Sequence, residues 1–205
     1  MDYSLRTAEG KTMKELECKE IMEQICKRKL NSLMIYSEIS DLFNLLNLHG
    51  YKRKYEYKNW EEEKEYLHLK KWIIEKYGVI PTVHIQLRKE INPLNAKNVG
   101  HREKISKENK QKIIQEIFTE LDKYFIETLK LHEEAFYTLC ERGHVSDAEI
   151  VKKFIKKLEK EIKKNKREWI KLNDINYSLD FIYEFQKEKH DKYKKKMEEI
   201  SMCTN

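Results

Sequence analysis

Apolar residues recur at helical spacing along most of this chain, in stripes long enough to predict five helices. In the first stripe Cys18, Met22 and Ile25, then Leu33, Tyr36 and Phe43, recur mainly at intervals of three, four and seven, which predicts a helix over residues 13–47. Leu48-His49-Gly50 follows. A glycine just past the last periodic residue reads as a helix stop, because it accepts a left-handed backbone at little cost. A second helix is predicted over 51–77 and closes at Gly78-Val79-Ile80-Pro81. From there to residue 101 the helical period is lost, and Asn92-Pro93 marks a turn, so 78–101 reads as a long crossover. A third helix starts near Ser106 and carries the strongest stripe: Ile114, Phe118, Leu121, Phe125, His132, Phe136 and Leu139.

The fourth helix opens on a start signal in which Ser146 and Glu149 have capping-box spacing and Val145 and Ile150 staple spacing. Its stripe is Val151, Phe154, Ile155, Leu158, Ile162 and Trp169. After Asn173-Asp174 a fifth helix carries Ile175, Leu179, Ile182 and Tyr193, with a Lys- and Glu-rich tail that is expected to fray. The organisation predicted is a disordered start over 1–12, a four-helix bundle over 13–172 and a C-terminal helix over 173–205. Charged residues make up 38% of the chain while Gly numbers 5 and Pro 2, which favours long uninterrupted helices and an all-α fold.

Composition also removes several function classes. No apolar run approaches the roughly 20 residues of a membrane span, so no membrane partner is expected. Cys18, Cys26, Cys140 and Cys203 lack metal-finger or redox-pair spacing, which, with no secretory signal, makes a reducing cytoplasm the expected location. No Gly-rich phosphate loop, nucleophile elbow or Cys/His nucleophile pair is present. Lys, Ile and Asn are favoured over Arg and Ala, as in AT-rich genomes and their phages, and a phage or mobile-element protein that engages a host factor would fit this composition.

The segment running from Gly50-Tyr51-Lys52-Arg53 through Glu62-Glu63-x-Glu65-x-x-His68 to Tyr77-Gly78-x-Ile80-Pro81 resembles the turn, second helix and exit of the ferritin-like superfamily, bacterioferritins included. The resemblance implies an antiparallel four-helix bundle with a long crossover between helices 2 and 3, plus a fifth helix. It also implies that Glu65 and His68, one turn apart, are second-helix metal ligands. The first-helix Glu of the pattern is replaced by Ser32, and helices 3 and 4 lack its inward carboxylates. What remains is a reduced site of Glu62, Glu65, His68 and His132 that would hold one iron or manganese ion. Read without the resemblance, Glu61, Glu62, Glu63 and Glu65 are a solvated acidic face, His132 is a core histidine, and no cofactor is expected.

Helix 4 carries the clearest charge pattern. Lys153, Lys156, Lys157, Lys160, Lys163, Lys164 and Arg167 fan across the face opposite its apolar stripe. This face predicts an acidic protein partner first and a nucleic acid second, since it is nearly all Lys and no base-reading motif accompanies it. Tyr51, Tyr55, Tyr57, Trp60, Tyr66 and Trp72 wrap helix 2 on more than one side, so that helix needs a second burial partner, and a homodimer is the expectation. The functional expectation is a non-enzymatic bundle that binds another macromolecule; the alternative is a ferritin-like metal-binding protein or oxidase with a reduced site.

Overall fold

The computed structural model describes residues 12–81 and 105–203, and all of the regular structure within them is helical. The expected disordered start (1–11 of its twelve residues) and the crossover beyond residue 81 lie outside the described residues. A 3-10 turn, Met13–Glu15, precedes α1 (Cys18–Leu45), α2 (His49–Tyr77), α3 (Lys107–Glu141), α4 (Val145–Asp174) and α5 (Leu179–Cys203). The expected first helix is therefore broken near its start: Leu16 is extended, and the backbone N–H of Glu17 bonds the Glu20 carboxylate at 2.8 Å, so α1 starts afresh just beyond it.

The helix ends follow local chemistry, three times differently from expectation. The helix stop after α1 is Asn47, the left-handed residue at φ 59°, and not Gly50. The Leu48 N–H bonds the Phe43 carbonyl at 2.9 Å and the Asn47 N–H bonds that of Asn44 at 3.1 Å, the paired bonds of a Schellman motif. Gly50 sits instead inside the first turn of α2. At the α3–α4 turn Gly143 plays the left-handed part at φ +73°. The Ser146 capping box does not form either, since α4 already begins at Val145 and Ser146 is helical. The capping position falls to His144, whose Nδ1 lies 3.3 Å from Asp147 Oδ2. Ile175 belongs to the turn before α5, not to the helix.

The described residues divide into two compact units. One comprises 12–29, 65–81 and 121–167; the other comprises 30–64, 105–120 and 168–203.

The first unit is built around Met22, Ile25, Leu69, Ile73, Leu139 and Val151, all at 0% exposure. Within it, contacts from α2 to α4 step in opposite directions along the two helices, Glu65 to Lys157 and Trp72 to Asp147, so these helices are antiparallel. Across the Gly143 turn α3 and α4 also reverse, with His132 and Phe154 rings 6.1 Å apart. Both α2 and α3 thus oppose α4 and run parallel to each other, which is why no short turn could join them.

The second unit is aromatic at its centre. Phe43 stacks on Tyr51 and Tyr55 with centroids 4.9 and 5.5 Å apart, and Phe118 meets Tyr51 edge-on at 6.2 Å. Here α5 supplies part of the extra burial that the aromatic circumference of α2 requires: Tyr57 and Tyr193 lie 5.5 Å apart. The two helices come close at Gly50, whose N–H bonds Gln186 Oε1 at 3.1 Å.

Candidate functional site

In the first unit the Glu-x-x-His pair is split by its environment. Glu65 is turned inward and bridged by two lysines: Lys29 Nζ lies 2.7 Å from Oε2, and Lys157 Nζ lies 2.7 Å from Oε1. Burial raises the carboxyl's pKa, but Lys29 and Lys157 more than offset it, so Glu65 is held below the usual carboxylate range. Lys29 is itself buried and sits 4.2 Å above the Phe154 ring. His68, one turn on, is exposed.

His132 is buried beside Phe154, and neither ring nitrogen has a hydrogen-bond partner among the described residues. Burial, reinforced by Lys29 and Arg28, drives its pKa well below the ordinary histidine value, so the ring stays neutral. Arg28 is anchored close by, with Nε donating to Thr128 Oγ1 at 2.7 Å and the guanidinium 4.0 Å over the Tyr124 ring.

Of the four metal candidates, three fall in this unit and Glu62, also buried, falls in the other. Among the described residues no three His, Cys, Asp or Glu side chains gather into a group that could hold a metal ion. Where a di-metal bundle sets cations against interior carboxylates, this unit sets ammonium groups. The donors as placed suit a lysine-neutralised carboxylate better than a metal.

A second polar cluster in the same unit fixes α4 to α2. Asp147, fully buried, accepts from Trp72 Nε1 at 2.9 Å, Lys76 Nζ at 2.6 Å and the Tyr77 hydroxyl at 2.5 Å. Burial opposes its ionisation, but these bonds outweigh it and keep the carboxylate charged. The second unit has a matching device: Glu168 accepts a hydrogen bond from Lys54 and forms an ion pair with Lys189 at 2.7 Å. Burial would raise its pKa, yet the two ammonium groups bring it down to about 2. Lys54 also lies 5.0 Å over the Tyr55 ring.

On α4, Lys153, Lys156, Lys160, Lys163 and Arg167 are exposed, while the other two expected members are engaged, Lys157 with Glu65 and Lys164 with Glu161 at 2.8 Å. At 100° per residue the exposed five fall within an arc of about 80°, opposite Phe154, Leu158 and Ile162, along about 21 Å of axis.

Lys29, Lys54, Asp147 and Glu168 were not among the expected site residues. For the lysines a signal existed: Lys29 lies four residues after Ile25 and Lys54 three after Tyr51, each on an apolar stripe where an ammonium needs a buried partner. No protein family's sequence profile and no curated protein matches the chain.

Proposed function

We propose that the chain is a non-enzymatic helical protein that binds an acidic protein partner through the basic face of α4. The observation that carries this reading is the exposed, single-sign arc of Lys153, Lys156, Lys160, Lys163 and Arg167 on one face of α4. Such an array raises the local concentration of an acidic partner and speeds encounter with it. A protein partner is favoured over nucleic acid because the arc has no aromatic side chain on which a base could stack and only one guanidinium.

The interior supports a binding role over redox catalysis. The single carboxylate presented by the Glu-x-x-His pair is engaged by two ammonium groups, and two cations bear on His132. The parallel α2 and α3 between antiparallel neighbours support a ferritin-like layout whose metal ligands have been exchanged for lysine-based ion pairs.

The test is retention on immobilised polyglutamate over a salt series, for the wild type and Lys156→Glu/Lys160→Glu/Lys163→Glu. The wild type is expected to be retained and to elute as salt rises, and the variant to flow through. Equal retention of both would overturn the assignment to α4.

A further inference from the structure

The second unit contains a cleft of about 710 Å³ beside the first turn of α2, and its lining belongs to neither the Glu168 cluster nor the basic face of α4. We propose that this cleft binds a small, strongly polar anion bearing phosphate groups. Its size lies within the range of small-molecule sites, roughly 300–1,000 Å³.

The cations that line it come from two helices. Lys52 and Arg53 stand on α2, Lys187 on α5, with His49 and His190 beside them. The two lining carboxylates are each met by a base on their own helix: Glu56 is bonded by Lys52, and Asp191 by His190 at 3.2 Å. Neither pairing uses the Arg53 guanidinium or the Lys187 ammonium. The guanidinium offers a planar fork that matches two phosphate oxygens, and the ammonium supplies a point charge from α5. The amino end of α2 adds its partial positive charge on the same side.

The absence of a side chain at Gly50 lets the two walls meet. A Cβ there would lie 2.0 Å from the Gln186 carbonyl oxygen, so α5 approaches this close only because residue 50 is glycine. The neighbouring Lys187 is thereby brought to the cleft that Arg53 also lines. Gln186 itself, besides accepting from the Gly50 N–H, lines the cleft with an amide, as Asn44 does from α1. No Phe, Tyr or Trp is among the lining residues, and the cleft's two rings are the imidazoles of His49 and His190. The ligand class is a phosphate ester of a polar small molecule or an inorganic polyphosphate, recognised by its phosphate oxygens.

Isothermal titration with sodium pyrophosphate, with phosphorus NMR line broadening alongside, tests this at constant ionic strength, using sodium sulfate as the comparison anion. Four proteins are compared: wild type, Arg53→Gln/Lys187→Gln, Lys156→Gln/Lys160→Gln/Lys163→Gln, and Gly50→Ser. Saturable pyrophosphate binding is expected in the wild type and in the α4 variant. It should weaken about tenfold or more in the cleft variant, as expected for losing two charge-assisted contacts. Circular dichroism of the cleft variant should match wild type, because Lys187 is exposed and Arg53 is only half-buried. Gly50→Ser, which removes no lining charge but displaces α5 and with it Lys187, should weaken binding as well. The proposal is overturned by no saturable binding, by binding that the cleft variant retains, by binding lost in the α4 variant instead, or by sulfate binding equally well.

Discussion

Replacing Gly50 with alanine isolates the close approach of α5 to α2 in the second unit. The added Cβ would meet the Gln186 carbonyl oxygen at 2.0 Å and its carbon at 2.8 Å, whereas real Cβ contacts essentially never fall below 3.0 Å. Relief requires α5 to retreat by about 1 Å, because the obstacle is backbone and no rotamer change removes it. Overpacking of this kind costs about 1–3 kcal/mol. Alanine's better helix propensity returns at most about 1 kcal/mol, and less in a first turn. A net loss of about 1–2 kcal/mol is expected, a fall in Tm of about 2–8 °C for a chain of this length. Urea unfolding followed by circular dichroism measures the loss, and hydrogen exchange over residues 182–190 locates it. Gly143→Ala is the control: nothing lies within 4 Å of its Cβ, and only left-handed strain at φ +73° is incurred, so α5 protection should be unchanged. A Gly50→Ala protein as stable as wild type, with α5 equally protected, would refute the packing described.

The ion clusters and the buried histidine give three further expectations. Glu65→Gln leaves the buried Lys29 without its carboxylate and should cost about 2 kcal/mol, discounted for the part of Glu65 that solvent reaches; adding Lys29→Met should restore most of it, and simple additivity in urea melts would show that the pair is not coupled. Glu168, at about 2 when folded against an ordinary 4.5, contributes stability that is complete above pH 4.5 and is lost as pH falls toward 2. Glu168→Gln should therefore flatten acid unfolding in that window, and an unchanged acid limb would count against the Lys54–Glu168–Lys189 cluster. Below pH 6.5 the unfolded chain protonates His132 whereas the folded chain does not, so this residue lowers stability as pH drops. His132→Leu should gain on wild type by up to about 1.4 kcal/mol per pH unit below 6.5, and a constant difference across pH would show that the imidazole is not held neutral.

The helices were legible because their apolar stripes are local and periodic, and the α3 stripe from Ile114 to Leu139 meets the buried side of that helix at Ile114, Phe118, Leu121, Phe125, His132 and Leu139. Their ends were less so. Gly50 and Asn47 lie three residues apart, and nothing local shows which of them turns left-handed and which is small to admit another helix. At α4, Ser146 has the capping-box spacing, yet the helix begins one residue earlier with His144 at the capping position. What decides is the burial of Asp147 against Trp72, Lys76 and Tyr77, some seventy residues away in the chain. The Glu65-x-x-His68 spacing is visible in one dimension, but the ammonium groups of Lys29 and Lys157 that engage Glu65 are 36 and 92 residues distant. Sequence spacing could nominate the carboxylate and could not say what neutralises it.

The most direct test of a protein-binding role for α4 is a head-to-head titration of labelled protein with polyglutamate and with duplex DNA of equal charge, at one salt concentration, repeated with Lys156→Glu/Lys160→Glu/Lys163→Glu. Tighter binding to polyglutamate, lost in the variant, is the predicted result; tighter binding to DNA, or polyglutamate binding that survives the charge reversal, would contradict it.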